Sequence, residues 1–194
     1  MHHAGPVKFI FHVLLLLALS ALAGAAWVAH RPVAVAPLEA PKPGPRVREF
    51  VDDLKQAAIK RSAIFEISEG ELNRHLAKVL TAKMTPPADR WVKFERLAFE
   101  LEPDLAHATL VWDVQGHTST ATVDFRIRRL EDVFRVEVVG GSYGHLVVPR
   151  GMLRPLSPAL EKLADVLKEE IQALFQMNQI QLAQDKLVID PRFP

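Results

Sequence analysis

Leu105–Ile127, LAHATLVWDVQGHTSTATVDFRI, alternates apolar and polar residues on both sides of a Gln-Gly pair. Alternation of this kind marks half-buried strands, and two such runs around a two-residue glycine turn mark a hairpin. A turn at Gln115-Gly116 sets Val114 against His117. It then sets Trp112 against Ser119, Leu110 against Ala121, Ala108 against Val123 and Ala106 against Phe125. The last four pairs share one face, so a slip of one residue would expose the whole apolar set. The outer face pairs Thr109 with Thr122, Val111 with Thr120 and His107 with Asp124.

The sheet extends in both directions from this hairpin. A turn at Glu131-Asp132 sets Ile127 against Val136, Phe125 against Val138 and Arg126 against Glu137. Turning one residue earlier would face Arg126 with Arg135 and Asp124 with Glu137, which like-charge repulsion disfavours. Upstream, residues 91–101 carry Trp91, Phe94, Leu97, Phe99 and Leu101. Their parity breaks between Phe94 and Leu97, which predicts a bulge. Downstream, a strand over Ser142–Val148 is expected after Gly140-Gly141.

Helices are expected around this sheet. Val47, Phe50, Val51, Leu54 and Ala58 predict an amphipathic helix over 46–61. Ala63–Ile67 reads as a short strand, and Ser68-Glu69-Gly70-Glu71 as a capping box. The helix it opens carries Leu72, Leu76, Val79 and Leu80 on one side, with His75 as a boundary residue on the same side. Ser157 as N-cap and Pro158 as first residue predict a long helix over 158–177. Its apolar stripe is Leu160, Leu163, Ala164, Leu167, Ile171, Leu174 and Phe175. Ile180–Leu182 and Leu187–Ile189 read as a small terminal hairpin. The expected fold class is α+β: an antiparallel twisted sheet packed on a long C-terminal helix, with two shorter helices.

Before this domain lies an apolar run. Phe9–Ala29 holds 21 residues without a charge, between Lys8 and His30-Arg31. That length is about enough to cross a bilayer. A basic start, an apolar middle and small residues at Ala21–Ala25 also fit a cleavable signal peptide. Continuation to Ala29 and an interfacial Trp27 favour an uncleaved signal anchor over 1–30. His12 reads as a tolerated polar residue within it. More positive charge follows the run than precedes it, in Arg31, Lys42, Arg46 and Arg48, which alone would retain the C-terminus in the cytoplasm. The signal-like pattern argues instead for export to the periplasm or cell surface. Arg31–Pro45 contains five prolines in fifteen residues and reads as a semi-rigid stalk. One extracytoplasmic domain, 46–194, follows.

Composition narrows the chemistry. The chain has no cysteine, which excludes disulfides, thiol nucleophiles and cysteine metal sites. Its formal net charge of +1 gives no global argument for nucleic-acid binding. No GxSxG elbow, HExxH or HxH spacing occurs. His107–Asp124 is the nearest thing to a dyad, and on a solvent face it reads as an ordinary cross-strand ion pair. His117 and Asp113 lie too far along the hairpin to complete a metal site with His107. Gly140-Gly141-Ser142-Tyr143-Gly144 opens a strand rather than a helix, so it reads as a bend, not a phosphate loop. Neither catalytic residues, a metal nor a cofactor is implied.

Two segments resemble a known family. ISEGELNRHLAKVL (67–80) and GGSYGHLVVPRGMLRPLSPALEKL (140–163) are similar to elements of YpmS-like membrane-anchored bacterial proteins of unknown function. The resemblance implies a sheet-around-a-helix shape like that of tubular lipid-binding domains, and it carries no catalytic residues with it. From the residues themselves, the inner face mixes small and large side chains. It either admits the last helix closely or leaves a groove for an acyl chain. The candidate groove is Ala106, Ala108, Leu110, Trp112, Ala121, Val123, Phe125 and Ile127 on the sheet, with Leu163, Leu167, Ile171 and Leu174 on the helix. The expected function is non-enzymatic binding of a lipid or other apolar ligand. The alternative is a scaffold whose Thr-rich outer face or strand edge docks an envelope protein.

Overall fold

The alternation of the central hairpin builds a five-stranded antiparallel sheet in the order β2-β3-β4-β5-β6. Its strands are β2 (Val92–Glu102), β3 (Leu105–Val114), β4 (His117–Leu130), β5 (Val133–Tyr143) and β6 (Leu146–Pro149). The computed structural model describes residues 5–36, 56, 64–84, 91–131 and 133–191. The expected helix over 46–61 and most of the proline-rich stretch lie outside the described residues. Ahead of the sheet come α1 (Gly5–His30), β1 (Phe65–Ser68) and α2 (Glu69–Lys83). After it come a 3-10 turn (Arg150–Leu156), α3 (Ser157–Val166), α4 (Lys168–Phe175), β7 (Gln179–Ala183) and β8 (Lys186–Asp190).

Both central registers follow the sequence pattern. β3 and β4 pair Leu110 with Ala121, Ala108 with Val123 and His107 with Asp124. β4 and β5 pair Ile127 with Val136, Phe125 with Val138 and Arg126 with Glu137. The parity break in β2 is a bulge between Phe94 and Arg96.

Four expectations are corrected. First, Gly140-Gly141 lies inside β5, and the turn to β6 is Gly144-His145. A Cβ on Gly141 would meet the Thr122 carbonyl oxygen at 2.1 Å, so this glycine admits a neighbouring strand rather than making a turn. Second, the expected long helix over 158–177 is two short ones. Leu167 has φ −94° and ψ 16°, which ends α3, and α4 starts afresh. The restart turns Glu170, Ala173 and Met177 inward, while Ala164 and Phe175 of the expected stripe are exposed. Third, Ser157 is already helical rather than an N-cap, because the preceding 3-10 turn leads directly into α3. Fourth, the short strand spans Phe65–Ser68, leaving out Ile64 and taking in Ser68, while Ala63 lies outside the described residues; with the terminal hairpin it forms a second sheet, β1-β8-β7.

The capping box at Ser68 and Glu71 forms as expected. Its helix also manages the edge of the large sheet. Asn73 donates to the Phe99 carbonyl oxygen at 2.8 Å and accepts from the Phe99 N–H at 2.7 Å. Glu69 accepts from the Leu101 N–H at 2.8 Å. Side chains of α2 therefore satisfy backbone groups that an edge strand would otherwise offer to another chain. The core lies between the large sheet, the small sheet and helices α2–α4, and its centre includes Leu101, Leu110 and Ile189.

Candidate functional site

The expected groove residues are mostly core. Ala106, Ala108, Leu110, Ala121, Val123, Leu163 and Leu167 are buried, and Trp112, Phe125, Ile127, Ile171 and Leu174 pack against them half-buried. Two openings among the described residues flank α3. A small cleft of about 210 Å³ touches Leu110, Trp112 and Leu163, together with Met84, Phe94 and Lys162. A larger groove of about 620 Å³ lies between the β4–β5 hairpin and the segment from Arg150 to Leu160. Only Val123 of the expected set lines it.

The larger groove has a distinct chemistry. Its apolar walls are Val123, Leu130, Val136 and Val138 from the hairpin, and Leu153 and Leu160 from the opposite side. Arg128 and Arg135 stand on the hairpin, and Arg150 and Arg154 face them from the 3-10 turn. Glu137 is the single carboxylate among the lining residues, 3.8 Å from the Arg128 guanidinium, and Ser157 adds a hydroxyl. A fifth arginine, Arg129, is engaged elsewhere by Asn178. Four guanidinium groups against one carboxylate on apolar walls suit an anion attached to a hydrocarbon. The volume falls in the ordinary range for small-ligand pockets.

This geometry follows from local structure. β6 pairs with β5 only from Gly140 to Tyr143, so among the described residues no strand pairs with that edge of β5 over residues 133–139. The hairpin projects past β6, and the 3-10 turn runs back along it instead of pairing with it. Tyr143 secures that turn by donating its hydroxyl to the Met152 carbonyl oxygen at 3.0 Å. Burial pushes the Tyr143 pKa up. At the hairpin's far end Phe134 stacks on Phe175 of α4, with ring centroids 5.8 Å apart. The signal for the groove was present in sequence as RIRR and FRVE on one hairpin. Arg150 and Arg154, however, lie in a segment with no periodicity.

The remaining candidates sit in local hydrogen bonds and ion pairs. His107 Nδ1 donates to Asp124 at 2.7 Å, and Glu102 lies 3.7 Å from Nε2. Burial opposes a charge on His107, but the bond and charge of Asp124, with Glu102, outweigh it and raise the pKa. Thr109 and Thr122 share a hydroxyl–hydroxyl bond at 2.9 Å beside them. His117 does not join this pair, and among the described residues no His, Asp and Glu side chains converge on a metal-holding arrangement. His75 lies 3.6 Å from the buried Glu170.

At the N-terminus, Lys8–His30 is one helix long and apolar enough to span a membrane. Arg31 sits 3.7 Å over the Trp27 ring. No family model matches the chain, and no curated protein matches it.

Proposed function

We propose that this chain is a non-enzymatic, membrane-anchored domain of the extracytoplasmic face that binds an anionic amphiphile, a lipid with a phosphate or carboxylate head group. The ligand's chain lies on the Val136, Val138, Leu153 and Leu160 wall, and its head group is held by Arg128, Arg135, Arg150 and Arg154. The observation that carries this reading is the four-arginine rim on an apolar groove. The long apolar α1, which would supply a local source of lipid, supports it. So does the resemblance to YpmS-like membrane-anchored proteins.

The test is native mass spectrometry of the full chain released from detergent, with organic extraction of what it carries. An anionic phospholipid should co-purify. Val136→Trp, which fills the groove from a half-exposed position, should lose it while the circular dichroism spectrum is unchanged. A ligand-free mass, with no uptake from anionic vesicles, would overturn the reading. A second reading, docking of an envelope protein, is favoured by one feature: among the described residues no strand covers the β5 edge over residues 133–139. A partner that protects those backbone amides from hydrogen exchange would support it over the lipid reading.

A further inference from the structure

The two edges of the large sheet are finished differently. On β2, Asn73 and Glu69 of α2 bond the backbone of Phe99 and Leu101. On the other side β6 covers β5 only from Gly140 to Tyr143, and among the described residues no strand pairs with that edge over 133–139. Antiparallel strands turn the backbone groups of alternate residues to alternate neighbours, so about half of those in this stretch face away from β4. Open edges are ordinarily blunted by lysine, proline or a bulge. The stretch VFRVEVV holds no lysine or proline, and its bulge comes only at Val139. Val133, Val136 and Val139 are 65%, 52% and 39% exposed along it.

The stretch is complementary to itself. In antiparallel pairing about a two-fold axis at Val136, Val136 faces Val136, Phe134 faces Val138, and Arg135 faces Glu137. The ends bring Val133 to Val139. Every apolar residue meets an apolar one, and each charge meets its opposite. Residues 134–138 lie before the register shift of β5, so Phe134, Val136 and Val138 share one face, and Arg135 and Glu137 the other. Within its own chain Arg135 stands opposite Arg128. The Glu137 of a second copy supplies the counter-charge that this neighbour does not. The same charges fix the register, because moving the axis to Arg135 or to Glu137 sets like charges face to face. Val136 is also the middle residue of the open stretch 133–139.

We infer that this edge pairs with the same edge of a second copy, making a two-fold dimer in which the two β5 strands join the large sheets. The interface is isologous, each copy contributing residues 133–139. The inference goes beyond the ligand reading and does not depend on it.

The chain has no cysteine, so an introduced one reports the pairing without background. Directly opposed residues lie about 4.5–5.5 Å apart at Cα, within reach of a disulfide. Full-length Val136→Cys, oxidised in the membranes of the expressing cells, should form a disulfide dimer. Val133→Cys should not, because the two-fold pairing separates the two copies of that position by about 20 Å. Arg135→Glu or Glu137→Arg, each added to Val136→Cys, should cut cross-linking about tenfold, since symmetry sets like charges together twice. Coexpressed with different tags, these two variants face each other with opposite charges, and the mixed disulfide should return to the level of Val136→Cys alone. That recovery also shows that both variants fold. The pairing is overturned if Val133→Cys cross-links as strongly as Val136→Cys, if the charge variants each cross-link undiminished, or if the mixed disulfide does not return. It is equally overturned by a Val136→Cys chain that stays monomeric on oxidation, which would leave the edge to an envelope protein.

Discussion

Arg128 lies directly opposite Arg135 on the β4–β5 hairpin, two like charges in register. The same register brings Arg126 against Glu137, a favourable pair, so the hairpin's charge pattern is mixed rather than uniformly compensated. Like charges directly opposite on a strand pair are destabilising by a few tenths to about 1 kcal/mol. On the proposed reading, an anion that joins the two guanidinium groups would offset this cost.

Arg135→Gln should therefore separate stability from binding. The variant is expected to be more stable than the parent by ~0.2–1 kcal/mol, since the repulsion is gone. Retention of anionic phospholipid should fall ~10-fold, the equivalent of about 1.4 kcal/mol. Urea unfolding in detergent reads the first effect and lipid titration the second. A variant that is less stable and binds equally well would deny the arginine pair any role in ligand binding.

The segment ISEGELN does more than form the capping box its sequence announces. Ser68 and Glu71 cap α2, while Glu69 and Asn73 bond the backbone of β2. Asn73→Ala removes both a donor and an acceptor from Phe99. It should cost ~1–3 kcal/mol, the range for leaving a buried polar group without its partner. Asn73→Asp keeps the acceptor for the Phe99 N–H and should cost less. The shift of the urea midpoint orders the three proteins, and equal midpoints for parent and Ala variant would show that water replaces the bonds freely.

His107 and Asp124 set a pH dependence on the alkaline side. The folded pKa of His107 lies above its unfolded value, so its pairing stabilises the fold fully below about pH 6.5. That contribution is lost as pH rises through the raised folded pKa. For a partly exposed pair the amount is a fraction of a kcal/mol. Asp124→Asn should flatten the fall in thermal midpoint between about pH 6 and about pH 8.5. An unchanged slope in that variant would assign the dependence to another group.

The parts of this fold that were legible in sequence are those where side-chain period alone decides. Ala106, Ala108, Leu110 and Trp112 against Ser119, Ala121, Val123 and Phe125 admit one register, and Phe94 followed by Leu97 admits one bulge. β4 and β5 also shift register, Phe125 pairing with Val138 and Asp124 with Gly140, and this bulge at Val139 was hidden because Val138 and Val139 are both apolar and Gly140 and Gly141 have no side chain, so parity has no signal there. Leu167 was hidden for the opposite reason: an apolar stripe continuous through the break looks the same whether or not the helix restarts. The groove was least legible. Its arginines come from the hairpin and from an aperiodic 3-10 turn that only the folded chain brings together.

His75 supplies the opposite limb of the pH profile. Burial lowers its pKa; the charge and hydrogen bond of Glu170 work against that, and Lys78 and Lys83 reinforce it. Neutral in the fold and protonated more readily when unfolded, His75 contributes stability that is present above about pH 6.5 and lost as pH falls toward its lower folded pKa. His75→Gln should flatten this acid limb while leaving the alkaline limb of His107 in place. Glu170→Gln removes the carboxylate that lies 3.6 Å from the ring, so the folded pKa of His75 should drop further and the acid limb should steepen. Both effects are read by NMR titration of the His75 ring protons together with thermal midpoints from about pH 4.5 to about pH 7. A His75 pKa that rises in Glu170→Gln would show that burial is not the dominant influence on this ring.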